Sequence, residues 1–148
     1  MIEKIKEQIS KEYSLNETKG IFLSCFNQEN ELILSNGVLA TNKSLWIVID
    51  MLYHGIIEEK SNTIRTIVCD IVTQTQLLNT MDEINKIDIS TSGIAISTID
   101  YTKTWAILPA TQGLTSLSQM LEVVKQKNHI EGNVIIHSFQ TNRIAIIV

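Results

Sequence analysis

The chain has 148 residues, enough for one domain with a proper core. Apolar residues make up 44% and charged residues 19%, a globular balance rather than a disordered one. The net charge is −4 and the 12 Lys and Arg are scattered, so there is no basic stripe of the kind a nucleic-acid binder carries.

Residues 2–13 place Ile2, Ile5, Ile9 and Tyr13 at helical spacing between charges, which predicts an amphipathic helix. Ile21-Phe22-Leu23-Ser24-Cys25-Phe26 reads as a strand, Asn27-Gln28-Glu29-Asn30 as a hairpin turn and Glu31-Leu32-Ile33-Leu34-Ser35 as the returning strand. Ser35-Asn36-Gly37 then has turn chemistry, leading into the next helix. Ser44 to His54 is apolar almost all round, which predicts a central core helix. Thr41, Asn42 or Ser44 is expected to cap it, and Gly55 to supply a left-handed stop. Asp50 is the only acid in this helix and should be exposed or hydrogen-bonded, because an unpaired buried carboxylate is costly.

Thr63 to Val72 reads as a long strand after the polar loop Glu58–Asn62. Thr80-Met81-Asp82-Glu83 fits a capping box at the start of a short helix. Ile94–Ser97 and Thr104–Leu108 form a second hairpin across Asp100-Tyr101-Thr102-Lys103, and Pro109 ends it. Ser116-Leu117-Ser118-Gln119 opens a helix to about Lys127 with Leu117, Met120, Leu121 and Val124 on one face. Gly132-Asn133 turns into Val134–Phe139, and Ile144–Val148 closes the chain as a strand that should be paired, since nothing but Arg143 guards it. The order of elements predicts an α+β fold with a mostly antiparallel sheet, a buried central helix and flanking helices, as a single domain over residues 1–148.

Cys25 and Cys69 lie in apolar runs and read as buried reduced thiols. His54, His129 and His137 lack metal-ligand spacing, so no metal and no cofactor is expected. The start Met1-Ile2-Glu3-Lys4-Ile5-Lys6 is not a signal sequence, and no apolar run is long enough to span a bilayer, which points to a cytoplasmic protein.

Gly20-Ile21-Phe22-Leu23-Ser24, then Asn30-Glu31-Leu32 with Leu39 and Leu45, resemble the opening of the AMME-syndrome candidate-region (AMMECR) domain family. Thr66–Val72, Ser92-Gly93-Ile94-Ala95-Ile96, Ile107-Leu108-Pro109, the helix 117–127 and Val134–Thr141 resemble its later elements, so the likeness spans nearly the whole chain. In that register the family's Arg-Gly-Cys-Ile-Gly falls on Ile33, Leu34, Ser35, Asn36 and Gly37, and only the last glycine is kept. A thiolate of lowered pKa is nucleophilic, whereas a serine without a base is not, so any thiol chemistry of the family should be lost or altered here. The resemblance implies an AMMECR-like fold and partners of the Memo-like or radical-SAM kind, by association alone.

The candidate ligand-binding residues are Ser35, Asn36, Gly37 and His54, at the corner between the second strand and the core helix. Tyr53 is a pocket candidate beside His54, and Trp46 and Trp105 read as core aromatics. Asp50, Asp70 and His137 have no spacing that makes them an acid–base set, and Thr111-Gln112-Gly113 is too short for a phosphate loop. The leading expectation is a non-catalytic module that binds a ligand or a protein, as monomer or homodimer. The alternatives are an enzyme component with a pocket at Ser35-Asn36-Gly37 and a roadblock- or longin-like dimeric scaffold.

Overall fold

The computed structural model describes residues 1–100, 102–111, 116–128 and 132–148, with the side chains of Met120 and Asn128 left aside. Tyr101, Gln112, Gly113, His129 and the Met120 side chain, all invoked above, lie outside the described residues. The elements are α1 (Ile2–Ser10), β1 (Ile21–Phe26), β2 (Leu32–Val38), α2 (Leu45–Leu52), β3 (Thr66–Leu78), α3 (Met81–Asn85), β4 (Gly93–Thr98), β5 (Thr104–Ile107), α4 (Leu117–Asn128) and β6 (Val134–Ile147). The fold is α+β. Its six strands form one sheet in the order β2-β1-β3-β6-β4-β5. β1 pairs antiparallel with β2 and β3, and β4 with β5 and β6. The described chain divides into two compact units, Met1–Val72 with Asn142–Val148, and Thr73–Thr141.

In the first unit, Ile5 and Ile9 of α1 and Leu45, Val48 and Ile49 of α2 pack on the strand residues Ile21, Leu23, Cys25, Ile67, Cys69, Ile71 and Ile146. Asn27 closes the β1–β2 hairpin as predicted: its Oδ1 accepts from the Glu29 and Glu31 amides at 3.0 and 2.9 Å, and Asn30 takes φ 61°. β2 runs on through Ser35-Asn36-Gly37 to Val38 instead of turning there. Gly37 is needed in this strand because a Cβ would fall 2.5 Å from the Phe22 Cα on β1 and 2.6 Å from the Phe22 ring. The glycine that reads as a turn is thus a close approach covered by an aromatic ring.

α2 also departs from expectation. Only Leu45, Val48 and Ile49 of it are buried, while Trp46, Ile47 and Met51 are exposed, so it is a helix with one buried face and not one surrounded by core. Of Thr41, Asn42 and Ser44, Ser44 takes the N-cap position in extended backbone, but its side chain makes no capping hydrogen bond. The Leu45 and Trp46 amides donate instead to the Glu17 and Leu15 carbonyls, at 2.8 and 3.0 Å. Gly55 does not stop it. The chain passes through a π-helical turn, Tyr53–Ile57, and a 3₁₀ turn, Glu58–Lys60, which bury Tyr53 and Ile57.

β3 and β6 are longer than predicted, at 13 and 14 residues. The polar run Gln140–Arg143 reads as a break, yet β6 is continuous through it. Two of its side chains find partners. Asn142 Nδ2 donates to Glu12 Oε2 (2.6 Å) and to the Tyr13 hydroxyl (3.0 Å), and the Arg143 guanidinium grips the Asp70 carboxylate with bonds of 2.9 and 3.0 Å. Ile144–Val148 is paired as expected, with Ile146 buried and the Val148 amide donating to the Arg65 carbonyl at 2.9 Å.

In the second unit, Leu78, Ile94, Ile96, Leu117 and Val124 form the core, with Ile84, Ile87, Ile89, Trp105, Ile107, Leu121, Val134 and Ile136 around it. The Thr80–Glu83 capping box forms, and the Ser116 hydroxyl accepts from the Gln119 amide at 3.2 Å. Gly93 lies opposite Phe139 in the β4–β6 pair, again with an aromatic ring where a Cβ would sit.

Candidate functional site

The sequence-predicted residues separate into two features. Ser35 and Asn36 are exposed on β2, which forms one border of the sheet. The Ser35 hydroxyl pairs with that of Ser24 across the β1–β2 ladder at 2.9 Å, and Asn36 Oδ1 accepts from the Gly37 amide at 2.7 Å. His54 sits in the π-helical turn, its Nδ1 3.0 Å from Glu58 Oε2 and its ring edge-on to Tyr53. Among the described residues no hydrogen bond or ion pair joins His54 to Ser35, Asn36 or Gly37. Among the described residues Ser35 has a hydroxyl neighbour and no base bonded to it.

The other candidates are held by separate partners. Lys6 Nζ lies 2.6 Å from Asp50 Oδ1 and 3.4 Å above the Trp46 ring centroid, which lets a lysine amine go nearly out of water. This contact, rather than core burial, keeps Trp46 in place with 45% of its surface exposed. Asp70 is fully buried and belongs to Arg143. His137 pairs with Ala95 across β4–β6, and its Nδ1 is buried with no hydrogen-bond partner. Trp105 is half-buried against the core of the second unit. Cys25 and Cys69 are free and buried. Burial pushes the Cys25 thiol up to about 11 and, with the nearby Cys25 and Asp70, the Cys69 thiol up to about 12. Such thiols are inert.

A concave site lies in the second unit, where the sequence reading placed nothing. It is a cleft of about 240 Å³ walled by Gln74, Thr75 and Gln76 of β3, by Ser138, Phe139 and Gln140 of β6, and by Lys86, Ile87, Asp88 and Ser92 after α3. Ser92 and Ser138 are buried, whereas the β3 residues and Lys86 are exposed. The capping box fixes where α3 begins, and Asp88 folds the following turn by accepting from the Ser90 amide (2.9 Å) and hydroxyl (2.6 Å). Those two bonds hold the Asp88 carboxyl below its usual range, so it stays ionised. Thr73 ties β3 to β6 by donating from its hydroxyl to the Gln140 carbonyl at 3.3 Å.

The wall is chemically even. Amides and hydroxyls both donate and accept, and Lys86 and Asp88 offer opposite charges. The volume is below the roughly 300–1,000 Å³ of pockets that enclose a drug-sized ligand, so the cleft suits a small neutral group or a short stretch of a larger one. The one trace of it in the sequence is the run Thr73-Gln74-Thr75-Gln76, where polar residues replace the apolar run of the same strand. Among the described residues no group of three or more His, Cys, Asp or Glu could hold a metal ion. No helix there is long and apolar enough to cross a membrane.

No protein-family model matches the chain, and no curated protein matches it. Among solved structures it is similar to the crystal structure of uncharacterized protein PH0010 from Pyrococcus horikoshii, with a TM-score of 0.66 and 12% identity over 97% of this chain and 86% of that one. At that identity the likeness is one of fold alone.

Proposed function

We propose that this chain is a non-catalytic binding module, a divergent relative of the AMMECR domain, that holds a small neutral hydrogen-bonding ligand or a short polar segment of a protein in the cleft of its second unit. The supporting observation is convergence: polar side chains from β3, β6 and the α3–β4 connection meet around one concavity, with Ser92 and Ser138 buried in its wall. Partners of the Memo-like or radical-SAM kind follow from the family resemblance and belong to the same reading.

A thermal-shift screen of neutral polar metabolites and short uncharged peptides tests it. A ligand at a hundred times its Kd stabilises by about 2.7 kcal/mol, or about 5–10 °C in a chain of this size. The shift should shrink in Lys86→Ala and in Ser138→Val. A screen without hits, or a hit whose shift survives both substitutions, removes the reading. The enzymatic alternative would need His54, which Glu58 holds, to serve Ser35, and no hydrogen bond joins the two among the described residues. It requires turnover that Ser35→Ala abolishes.

A further inference from the structure

The outer side of α2 is a stripe that continues into the turns after it, all within the first unit. Trp46, Ile47 and Met51 are exposed on the helix itself, and Asp50 between them is partly so. Lys43 precedes them, and His54, Gly55 and Glu58 follow, all exposed. These positions recur three and four residues apart, the spacing of one helix face. The π-helical turn keeps to that pattern, burying Tyr53 and Ile57 while His54 and Gly55 stay outside. A single exposed apolar side chain is ordinary, whereas a tryptophan, an isoleucine and a methionine side by side form a patch.

The stripe has a symmetry of its own. Its spacing is the same read in either direction from the midpoint between Asp50 and Met51. Lys43 and Glu58 are equally far from that point, as are Trp46 and Gly55, and Ile47 and His54. Its charge is not the same in both directions, because a lysine stands at one end and a glutamate at the other. Among the described residues no ion pair holds Lys43, and His54 Nδ1 steadies the Glu58 carboxylate at 3.0 Å. A stripe with opposite signs at its ends complements a copy of itself laid antiparallel.

We propose that this face of α2 is the docking surface for a second copy of the chain, the two helices lying antiparallel about a two-fold axis between Asp50 and Met51. Lys43 then meets the partner's Glu58 at each end. Trp46 lies opposite the partner's Gly55, where a missing side chain leaves room for the indole; nothing stands within 4 Å of the place its Cβ would take. Ile47 and Met51 cover the middle. Asp50 comes to the axis with its charge already matched by Lys6 at 2.6 Å, so two bare aspartates do not meet. Lys6 Nζ also sits 3.4 Å from the Trp46 ring centroid, so the indole is held in place before a partner arrives and loses little freedom on docking. The proposal stands on the first unit and is independent of what the cleft binds.

Sedimentation of the full chain at low ionic strength should show a monomer–dimer equilibrium. One helix face is a small interface, so the dimer should dissociate on dilution. Met51→Glu brings a charge to the axis beside the partner's Asp50 and should leave monomer alone. Leu32→Glu, at a residue of β2 exposed to the same degree (58% against 56%), should leave the dimer as it is. Lys43→Glu and Glu58→Lys each turn both end pairs from attraction to repulsion, and each should weaken the dimer about tenfold. Mixed in equal amounts, those two variants complement each other at both ends, so the mixture should recover most of the parent's dimer. Neither a damaged fold nor docking through another face produces that recovery. A chain that is monomeric at every concentration overturns the proposal. So does a dimer that Met51→Glu leaves intact, or a mixture no more dimeric than its two components.

Discussion

Arg143→Met tests the account of the first unit. Asp70 is fully buried on β3, and the exposed end of β6 delivers the guanidinium that forks onto both its oxygens at 2.9 and 3.0 Å. Methionine keeps most of the apolar stem and deletes the charge together with the fork. Removing one partner of a buried pair costs about 3–5 kcal/mol, because a desolvated charge is left behind. The Arg143 side chain is 44% exposed, so solvent screens part of the attraction, and the lower end, about 3 kcal/mol, is the expectation. In a chain of this size that lowers Tm by about 6–12 °C. Urea unfolding followed by circular dichroism and tryptophan fluorescence reads it directly. Arg143→Lys, which replaces the fork with a point charge, should fall between. In Asp70→Asn/Arg143→Met the buried charge is gone as well, so the double variant should recover part of the loss. An Arg143→Met protein within about 0.5 kcal/mol of the parent would refute the reasoning and relegate the fork to a surface contact.

The glycines give a contrast within one molecule. Gly37→Ala and Gly93→Ala should each cost at least about 2 kcal/mol, since the new methyl meets Phe22 or Phe139, whereas Gly55→Ala meets nothing within 4 Å and should stabilise by about 0.5–1 kcal/mol in urea titrations. The two buried thiols have raised pKa values, so the stability they contribute is complete below about pH 9 and is lost as pH rises toward 11–12. Urea midpoints should therefore fall between pH 8.5 and 11 in the parent, and fall less in Cys25→Ala/Cys69→Ala, with pH as the controlled variable. Asp100 accepts from the Thr98 and Thr102 hydroxyls and the Thr102 amide, which lowers its carboxyl to about 2; a carbon-13 titration should find its midpoint there, and a midpoint near 4 would mean the hairpin bonds are absent in solution.

The fold was legible wherever local chemistry acts alone. Short apolar β-rich runs located β1 and β4, the Thr80–Glu83 pair located α3, and Asn27–Asn30 located the first hairpin. Boundaries failed where a partner distant in sequence decides. Gln140–Arg143 reads as a break, but Glu12, Tyr13 and Asp70 hold Asn142 and Arg143 and the strand continues. Ser44, one of the three residues offered, is the N-cap of α2, but the carbonyls of Glu17 and Leu15, not its side chain, take the first two amides. α2 reads as a core helix by composition, although Lys6 and Asp50 make an exposed Trp46 tenable. The candidate site was less legible still. Ser35–Gly37 drew attention through the resemblance, yet its groups are spent on the β1–β2 ladder and on its own edge.

The glycine-bearing stretch of β2 and the glutamine-bearing stretch of β3 argue against locating function by residue reactivity in this chain. At β2 a side chain occupies the one outward amide it can reach, and the neighbouring serine is matched by another hydroxyl. At β3, residues Thr73–Leu77 lie exposed and carry the neutral amides of Gln74 and Gln76. Ordering an exposed polar strand costs conformational entropy without the return of apolar burial. Thr73–Leu77 would be the weakest part of β3 if nothing covered it, and its amides would exchange early. Hydrogen exchange measured residue by residue tests this: the amides of Thr73–Leu77 should exchange ahead of those of Ile67–Ile71 in the same strand. Equal rates along β3 would mean that its exposed polar stretch is held as firmly as its buried one.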